Sequence, residues 1–276
     1  MNLYSTLQIE VTRRCNLNCD ICIRRNFEEL DLSLSLDNFK KVLKSGNFRY
    51  VGLHGWGEPL LNPEVFSMVK YAETNGIYTN LTTNGTLIEK NIDKIFSSGL
   101  REIAFGIYNK RNLTTVLPQI NALIRERDKR NYIMPKIYMD ITIYKRNLNQ
   151  ILDLVELAFE QGMDAVILHR IFNVYNPDLK YISVEEEKEL FLKVKKLARK
   201  KRLKVYLPTK HSFPCKVVKN SIFVDVEGNV TPCCFLPQSY MGNALFESMD
   251  KIMNSKIYTD FIKTMHKHPV CSRCQW

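Results

Sequence analysis

Leu7-Gln8-Ile9-Glu10-Val11-Thr12-Arg13-Arg14-Cys15-Asn16-Leu17-Asn18-Cys19-Asp20-Ile21-Cys22 runs from a short apolar stretch straight into three cysteines spaced C-x3-C-x2-C. The apolar stretch, Leu7 to Val11, reads as a buried strand. Thiolates are the usual ligands of iron-sulfur clusters, and a four-iron cluster normally takes four of them. Three close thiols leave one iron for a ligand from outside the chain, so that open iron is the expected reaction centre. A structural zinc site is the competing reading of the same thiols.

Outward from this stretch, short apolar strands alternate with amphipathic helices. The further strands are expected at Tyr50 to Leu53, Tyr78 to Leu81, Glu102 to Ile107, Ile137 to Ile143 and Ala165 to Leu168. Asn62-Pro63-Glu64 supplies an N-cap, a first-turn proline and an early acid for a helix running to Gly76. Asn147 is the expected cap of a helix that stops at Gly162, and Ser183 with Glu186 reads as a capping box. Six strand-helix units favour a parallel sheet with right-handed crossovers. Six are too few for an eight-fold barrel, so the expected fold is α/β, a partial (β/α)6 TIM-like barrel. Reactive residues then belong at the C-terminal strand ends. There the sequence places the cysteine triplet, His54-Gly55-Trp56-Gly57-Glu58-Pro59 and Thr82-Thr83-Asn84-Gly85.

Composition bounds the rest. The 276 residues suffice for one large domain or for one with a small appendage. No stretch reaches the roughly 18 apolar residues of a bilayer span, and no signal peptide opens the chain, so a cytoplasmic protein is expected. Eight cysteines in a reducing compartment point to metal or redox chemistry rather than disulfides. Lys and Arg exceed Asp and Glu by 40 to 29, which would suit nucleic acid or an anionic substrate. The basic runs fall on expected helices, however, where a solvated face is the simpler reading; nucleic acid is not the expected partner.

Taken with the six units, these residues resemble a radical S-adenosylmethionine (SAM) enzyme over about residues 5 to 200: Cys15, Cys19 and Cys22 as the cluster triplet, the Gly57-Glu58-Pro59 turn, and Thr83-Asn84-Gly85. The resemblance implies a SAM-binding 4Fe-4S cluster whose reduction cleaves SAM to a 5'-deoxyadenosyl radical, which abstracts hydrogen from the substrate. It implies SAM contacts from Gly57, Glu58, Pro59 and Asn84, with Thr142 and Asn147 carried over from a Thr-x4-Asn feature of some relatives. Glycine suits close backbone approach, and Glu58 offers acceptors to an ammonium group. The chain departs from the family at Ile21, where an aromatic is common, and at Trp56, which either covers the site or packs under the turn. Phe105-Gly106-Ile107-Tyr108-Asn109 lacks the Ser-Leu-Asp that often holds the ribose. His169 and Arg170 are read either as neighbours of adenine or substrate, or as structural.

A second cysteine set lies near the C-terminus. Cys215 precedes an alternating strand from Ser221 to Val226, a Glu227-Gly228-Asn229 turn and a return into Cys233, which together form a hairpin signal. A helix is expected over roughly Ser248 to His266, followed by Cys271-Ser272-Arg273-Cys274. This pattern resembles the twitch module, the short relative of the SPASM extension. It implies one auxiliary 4Fe-4S cluster held by Cys215, Cys233, Cys271 and Cys274, with a zinc ribbon as the alternative. Cys234 is left as an apolar filler or a hydrogen-atom donor. The implied division is a radical SAM core over residues 1–200 and the small cysteine-rich β-hairpin plus helix (twitch) module over 201–276.

The combination resembles radical SAM dehydrogenases, and peptide maturases and epimerases use related modules. The first expectation is an oxidoreductase acting on a small polar or peptidyl substrate, anionic substrates included, with the auxiliary cluster accepting an electron. Candidates for a base are Asp140, His169 and Tyr108. The resemblance also implies a low-potential electron donor such as ferredoxin or flavodoxin. The alternatives are a peptide maturase or epimerase, and a non-catalytic basic metal protein that binds nucleic acid. No separate leader-recognition domain is expected before the first strand, which tilts against leader-dependent peptide work.

Overall fold

A computed structural model of the chain describes residues 5–173 and 175–274. In chain order its elements are β1 (Thr6–Ile9), α1 (Leu36–Lys44), β2 (Tyr50–Leu53), α2 (Val65–Thr74), β3 (Tyr78–Thr83), α3 (Ile92–Ser98), β4 (Glu102–Ile107), α4 (Lys110–Lys129), β5 (Lys136–Ile143), α5 (Ile151–Glu160), β6 (Ala165–Arg170), α6 (Val184–Lys201) and β7 (Lys204–Tyr206). Then follow α7 (Lys216–Asn220), β8 (Ser221–Val224), β9 (Asn229–Thr231), β10 (Gly242–Asn243), α8 (Met249–Met253) and α9 (Lys256–Thr264). The fold is α/β with a mostly parallel sheet that does not close into a barrel. Two compact units share the chain. One combines the N-terminal part through Leu81, a short segment starting at Phe172 and the C-terminal part from Lys210; the other is built from 82–171 and 176–209.

In the first unit β2 lies parallel to β1, in register from Thr6 opposite Tyr50 to Ile9 opposite Leu53, and β3 continues beyond β2. The other side of β1 takes β8, also parallel, from Thr6 opposite Ser221 to Ile9 opposite Val224. Antiparallel β9 and β10 extend that edge. The C-terminal hairpin thus prolongs the sheet begun by β1. Leu7, Ile9, Val51 and Leu53 are fully buried, as are Phe39 and Val42 of α1 and Met68 and Val69 of α2. Gln8 and His54, one residue out of phase, stay partly exposed, as the two-residue period of a strand requires.

In the second unit β4, β5, β6 and β7 run parallel in that order. Ile103, Phe105, Ile107, Met139, Ile141 and Leu168 are buried on one face, where α4 covers β4 and α5 covers β5 and β6. The opposite face carries Ala104, Tyr138 and Ala165 as a small apolar cluster. One and two steps further toward the C-terminal ends come Gly106 beside Asp140 and Thr142 beside His169, all partly exposed.

Several boundaries differ from the sequence reading. The parallel set includes a further strand, β7, whose three residues Lys204–Tyr206 are too short and too polar to show a period. Asn62 caps no α-helix: it closes the 3-10 turn Pro59–Leu61, its Oδ1 accepts from the Glu64 N–H at 2.9 Å, and α2 starts only at Val65. Asn147 lies inside a 3-10 stretch, Lys145–Gln150, and α5 begins after Gln150. The helix expected over 248–266 is broken, because Ser255 starts a second helix by accepting from the Tyr258 N–H at 3.2 Å. The Ser183–Glu186 capping box is present at the start of α6.

Candidate active site

The cysteine loop leaves β1 and is closed at its root by hydrogen bonds. Leu34 N–H donates to Val11 O and Arg13 N–H to Leu32 O, each at 2.9 Å. The buried Asn62 amide clamps the same root by donating to Val11 O at 2.7 Å and Leu34 O at 2.9 Å. A closed root lets the tip hold a fixed arrangement without secondary structure of its own. At the tip, Leu17 N–H points to Cys15 Sγ at 3.4 Å and Cys22 N–H donates to Cys19 O at 3.2 Å. Asn173 Nδ2 reaches in from the segment after β6 to Ile21 O at 3.1 Å, beside Cys22. Ile21 itself is buried.

The three thiols are neighbours. Burial, and then the charges of Cys19 and Cys15, push the Cys22 thiol up to about 11. Burial followed by Cys15 and Asp20 raises Cys19. Iron would take these groups as thiolates and release their protons. Among the described residues, no three His, Cys, Asp or Glu side chains close on a single-ion site. The soft donor set and the mutual proximity fit an iron-sulfur cluster with one corner unfilled by protein.

The Gly-Glu-Pro turn is joined to the loop by backbone. Glu58 N–H donates to Arg14 O at 2.7 Å, and Trp56 O stands 4.0 Å from Cys22 Sγ. A Cβ on Gly57 would lie 2.1 Å from Thr12 O and 2.7 Å from Arg14 O. The close approach that Gly57 permits is therefore to the chain's own backbone at the foot of the cysteines. Glu58 is buried, and its Oε1 accepts from Leu60 N–H at 3.1 Å, capping the turn that Pro59 begins. Trp56 packs between Phe27 and Phe235, with ring centroids 6.5 and 6.1 Å away, and Phe172 meets Phe235 in turn.

The second unit carries the remaining candidates. Asn84 Oδ1 accepts from Thr86 N–H at 3.0 Å, and Gly85 takes the left-handed conformation that the turn needs. Asn147 is buried and committed to backbone: Nδ2 donates to Tyr108 O and Thr142 O, both at 2.7 Å, and Oδ1 accepts from Tyr144 N–H. It pins the ends of β4 and β5 together. Asn109 caps α4. His169 Nε2 lies 3.2 Å from Asp140 Oδ1. Burial lowers the imidazole's pKa, but the charge of Asp140 beside it outweighs that and leaves it raised. Arg170 is held by Glu187 and by Thr209 O, a structural engagement.

The C-terminal cysteines also gather. Burial raises Cys233 well above its usual value, with further contributions from Cys234, Cys271 and Cys274. Burial, then Cys274 and Cys215, take Cys271 to about 11. The four expected ligands are thus linked electrostatically. Cys234 is pushed up to about 12, chiefly by burial, and lies against Gln8 of β1.

Glu10 escaped the sequence reading, although a carboxylate within an apolar run was its signal. It is buried, its Oε1 accepts from Trp56 N–H at 3.2 Å and its Oε2 pairs with Arg13 Nε at 3.2 Å. Burial pushes it up to about 7, against the opposing pull of Arg13. Between 4.5 and 7 the folded chain therefore holds a proton that the unfolded chain has lost. Stability must then fall as pH rises through this window, by about 3 kcal/mol at most. Glu10→Gln is expected to remove that fall, read as denaturant midpoints from pH 5 to 8; parallel curves for variant and parent would contradict it.

Comparison with known proteins agrees with this geometry. The sequence model of the Radical SAM superfamily matches residues 9–182, and that of the SPASM iron-sulfur cluster-binding domain matches 215–275. The tungsten-containing aldehyde ferredoxin oxidoreductase cofactor-modifying protein of Pyrococcus furiosus is 22% identical over 307 aligned positions, covering 97% of this chain and 86% of that protein. The PqqA peptide cyclase of Bradyrhizobium diazoefficiens is 26% identical over 173 positions, 56% of this chain and 43% of that one. Among solved structures, Streptococcus suis SuiB bound to precursor peptide SuiA matches with a TM-score of 0.78 at 16% identity, over 95% of this chain and 67% of that one. BtrN in complex with AdoMet and 2-DOIA matches at 0.55 and 19% identity, over 99% and 93%. At these identities the structural likeness is one of fold. The family brings with it SAM, a 4Fe-4S cluster and auxiliary iron-sulfur chemistry. The chain belongs to the Radical SAM superfamily and carries a C-terminal SPASM iron-sulfur domain.

Proposed function

We propose that this enzyme is a maturase-type oxidoreductase that removes hydrogen from a peptidyl or small polar substrate, with His169 taking the proton and an auxiliary cluster taking the second electron. Bound SAM and its cluster would supply the 5'-deoxyadenosyl radical, and an auxiliary cluster would supply the electron acceptor. Cys15, Cys19 and Cys22 would hold the SAM-binding cluster, and Cys215, Cys233, Cys271 and Cys274 one auxiliary cluster. The labour would divide between residues 1–200 and 201–276. The observation that carries the reading is the His169–Asp140 contact, set at the C-terminal ends of β5 and β6 on the face opposite α4 and α5. Losing one hydrogen atom, one proton and one electron oxidises the substrate while returning the electron to the protein, so the reaction balances with SAM as the only oxidant consumed.

A peptidyl substrate is supported by the likeness over nearly the whole chain to SuiB, solved with its precursor peptide, and by the similarity to a peptide cyclase and a cofactor-modifying protein. A ferredoxin or flavodoxin would supply the first electron. The direct test is to offer deuterated peptides encoded beside the gene, with SAM and a reductant. Deuterium in 5'-deoxyadenosine and loss of two hydrogens from the peptide support the reading; loss of neither from any such peptide counts against it.

His169 accepts a proton only when neutral, so product formation should rise with pH through a value above 6.5. Asp140→Asn removes the charge that raises the imidazole and should move this rise to lower pH. His169→Gln should cut product formation about 100-fold while SAM cleavage persists. A pH profile unchanged in Asp140→Asn would remove His169 from this role.

Cys234 gives stereoinversion a specific footing. Cys234, the thiol left over by the four expected cluster ligands and set against Gln8, would give its hydrogen atom to the substrate radical, and the thiyl radical left behind would be restored by one proton and one electron from an auxiliary cluster. Inversion would place solvent deuterium in the product when the reaction is run in D2O, without oxidation, and Cys234→Ala would abolish it.

A further inference from the structure

Four charged side chains of the first unit meet at the foot of the cysteine loop, and the proposed reaction uses none of them. Arg13, two residues before Cys15, is the hub. Its guanidinium is only 12% exposed and reaches Glu10 at 3.2 Å, Asp225 at 3.4 Å and Glu227 at 3.3 Å, with Phe27 beneath it at 5.3 Å. Its backbone oxygen accepts from Arg24 of the same loop. Asp225 is buried and fixed by the hairpin turn: Oδ1 accepts from the N–H groups of Glu227 and Asn229, both at 2.9 Å. Glu10 in turn holds Trp56 N–H, and Gly55 leaves it room, since a Cβ there would lie 2.6 Å from Glu10 Cβ. Tyr240 also faces this set.

One guanidinium therefore bridges the end of β1, the cysteine loop and the hairpin that lies between Cys215 and Cys233. With Glu10 ionised, three carboxylates face that single cation, so the network carries surplus negative charge at the root of the cluster loop. Buried charge of this kind persists only where its partners are held in place. Net charge near a cluster sets how readily it accepts an electron.

We propose that the Glu10–Arg13–Asp225–Glu227 network positions the cysteine loop against the auxiliary hairpin and sets the reduction potential of the cluster that Cys15, Cys19 and Cys22 bind. Arg13 and Asp225 are positioning residues that touch no substrate. The inference rests on that cluster assignment, which Cys15→Ala tests separately through loss of the SAM-responsive EPR signal.

The test is an EPR redox titration of the reconstituted full-length protein at pH 8, following the signal that changes on SAM addition. Removing the positive charge in Arg13→Gln should lower the midpoint potential; removing a negative charge in Asp225→Asn should raise it; Arg13→Lys should stay near the parent. Mere loosening of the loop would move Arg13→Gln and Asp225→Asn the same way, and that result overturns the proposal, as does no shift in either. Should Arg13→Gln fail to hold iron, the remaining pair decides: a rise in Asp225→Asn with none in Arg13→Lys supports the proposal, and an unmoved Asp225→Asn overturns it.

Discussion

Cys19→Ala is expected to abolish SAM cleavage and to remove roughly half of the reconstituted iron, the share of one of two four-iron clusters. Cys19 is the middle thiol of the triplet, and its carbonyl holds the Cys22 N–H at 3.2 Å. Two remaining thiolates would leave two irons of the cubane without protein ligands. The loop root, closed by Asn62 and the Val11 to Leu34 hydrogen bonds, does not depend on the thiol, so the variant should fold. Cys233→Ala is the contrasting case. It should lose the auxiliary iron and product formation while SAM cleavage remains measurable. Iron and sulfide analysis with quantification of 5'-deoxyadenosine reads both variants; a Cys19→Ala protein that still cleaves SAM would contradict the assignment.

Gly57→Ala carries the second large effect. The added carbon would fall 2.1 Å from Thr12 O, 2.7 Å from Arg14 O and 2.8 Å from Thr12 C, all backbone atoms that no rotamer change can move aside. Relief requires the Gly-Glu-Pro turn to part from the cysteine loop, breaking the 2.7 Å hydrogen bond from Glu58 N–H to Arg14 O. A loss of about 3 kcal/mol follows from forced overpacking of this kind, and the SAM-binding cluster should become labile with it. Gly76→Ala is the control, since an added Cβ there meets nothing within 4 Å, although its positive φ carries a smaller cost. Equal stability and iron retention in Gly57→Ala and parent would show that the two segments are not coupled as described.

Much of this was legible in the residues. The strands β1 to β6 announce themselves as apolar runs because parallel strands are buried by helices, and the cysteines stand out by their spacing. Other features were hidden for physical reasons. β7 is three residues long with an exposed lysine and tyrosine, so no period shows. The pairing of β8 with β1 joins residues more than two hundred positions apart, and no local pattern encodes such a register. Asn62 and Asn147 looked like helix caps because asparagine favours that position; both instead spend their amides on backbone carbonyls of loop roots and strand ends. Arg13 and Asp225 lie more than two hundred positions apart and carry no local signal of their pairing, which only the fold brings to 3.4 Å.

The central claim is that Cys15, Cys19 and Cys22 present a four-iron cluster with one iron open to SAM. The most direct measurement is hyperfine spectroscopy on the anaerobically reconstituted, reduced protein mixed with SAM labelled in its amino nitrogen and carboxylate. Coupling of those nuclei to the cluster, absent in Cys19→Ala, is the predicted result. A reduced cluster that shows no coupling to the label, or a coupling that survives in Cys19→Ala, would contradict it.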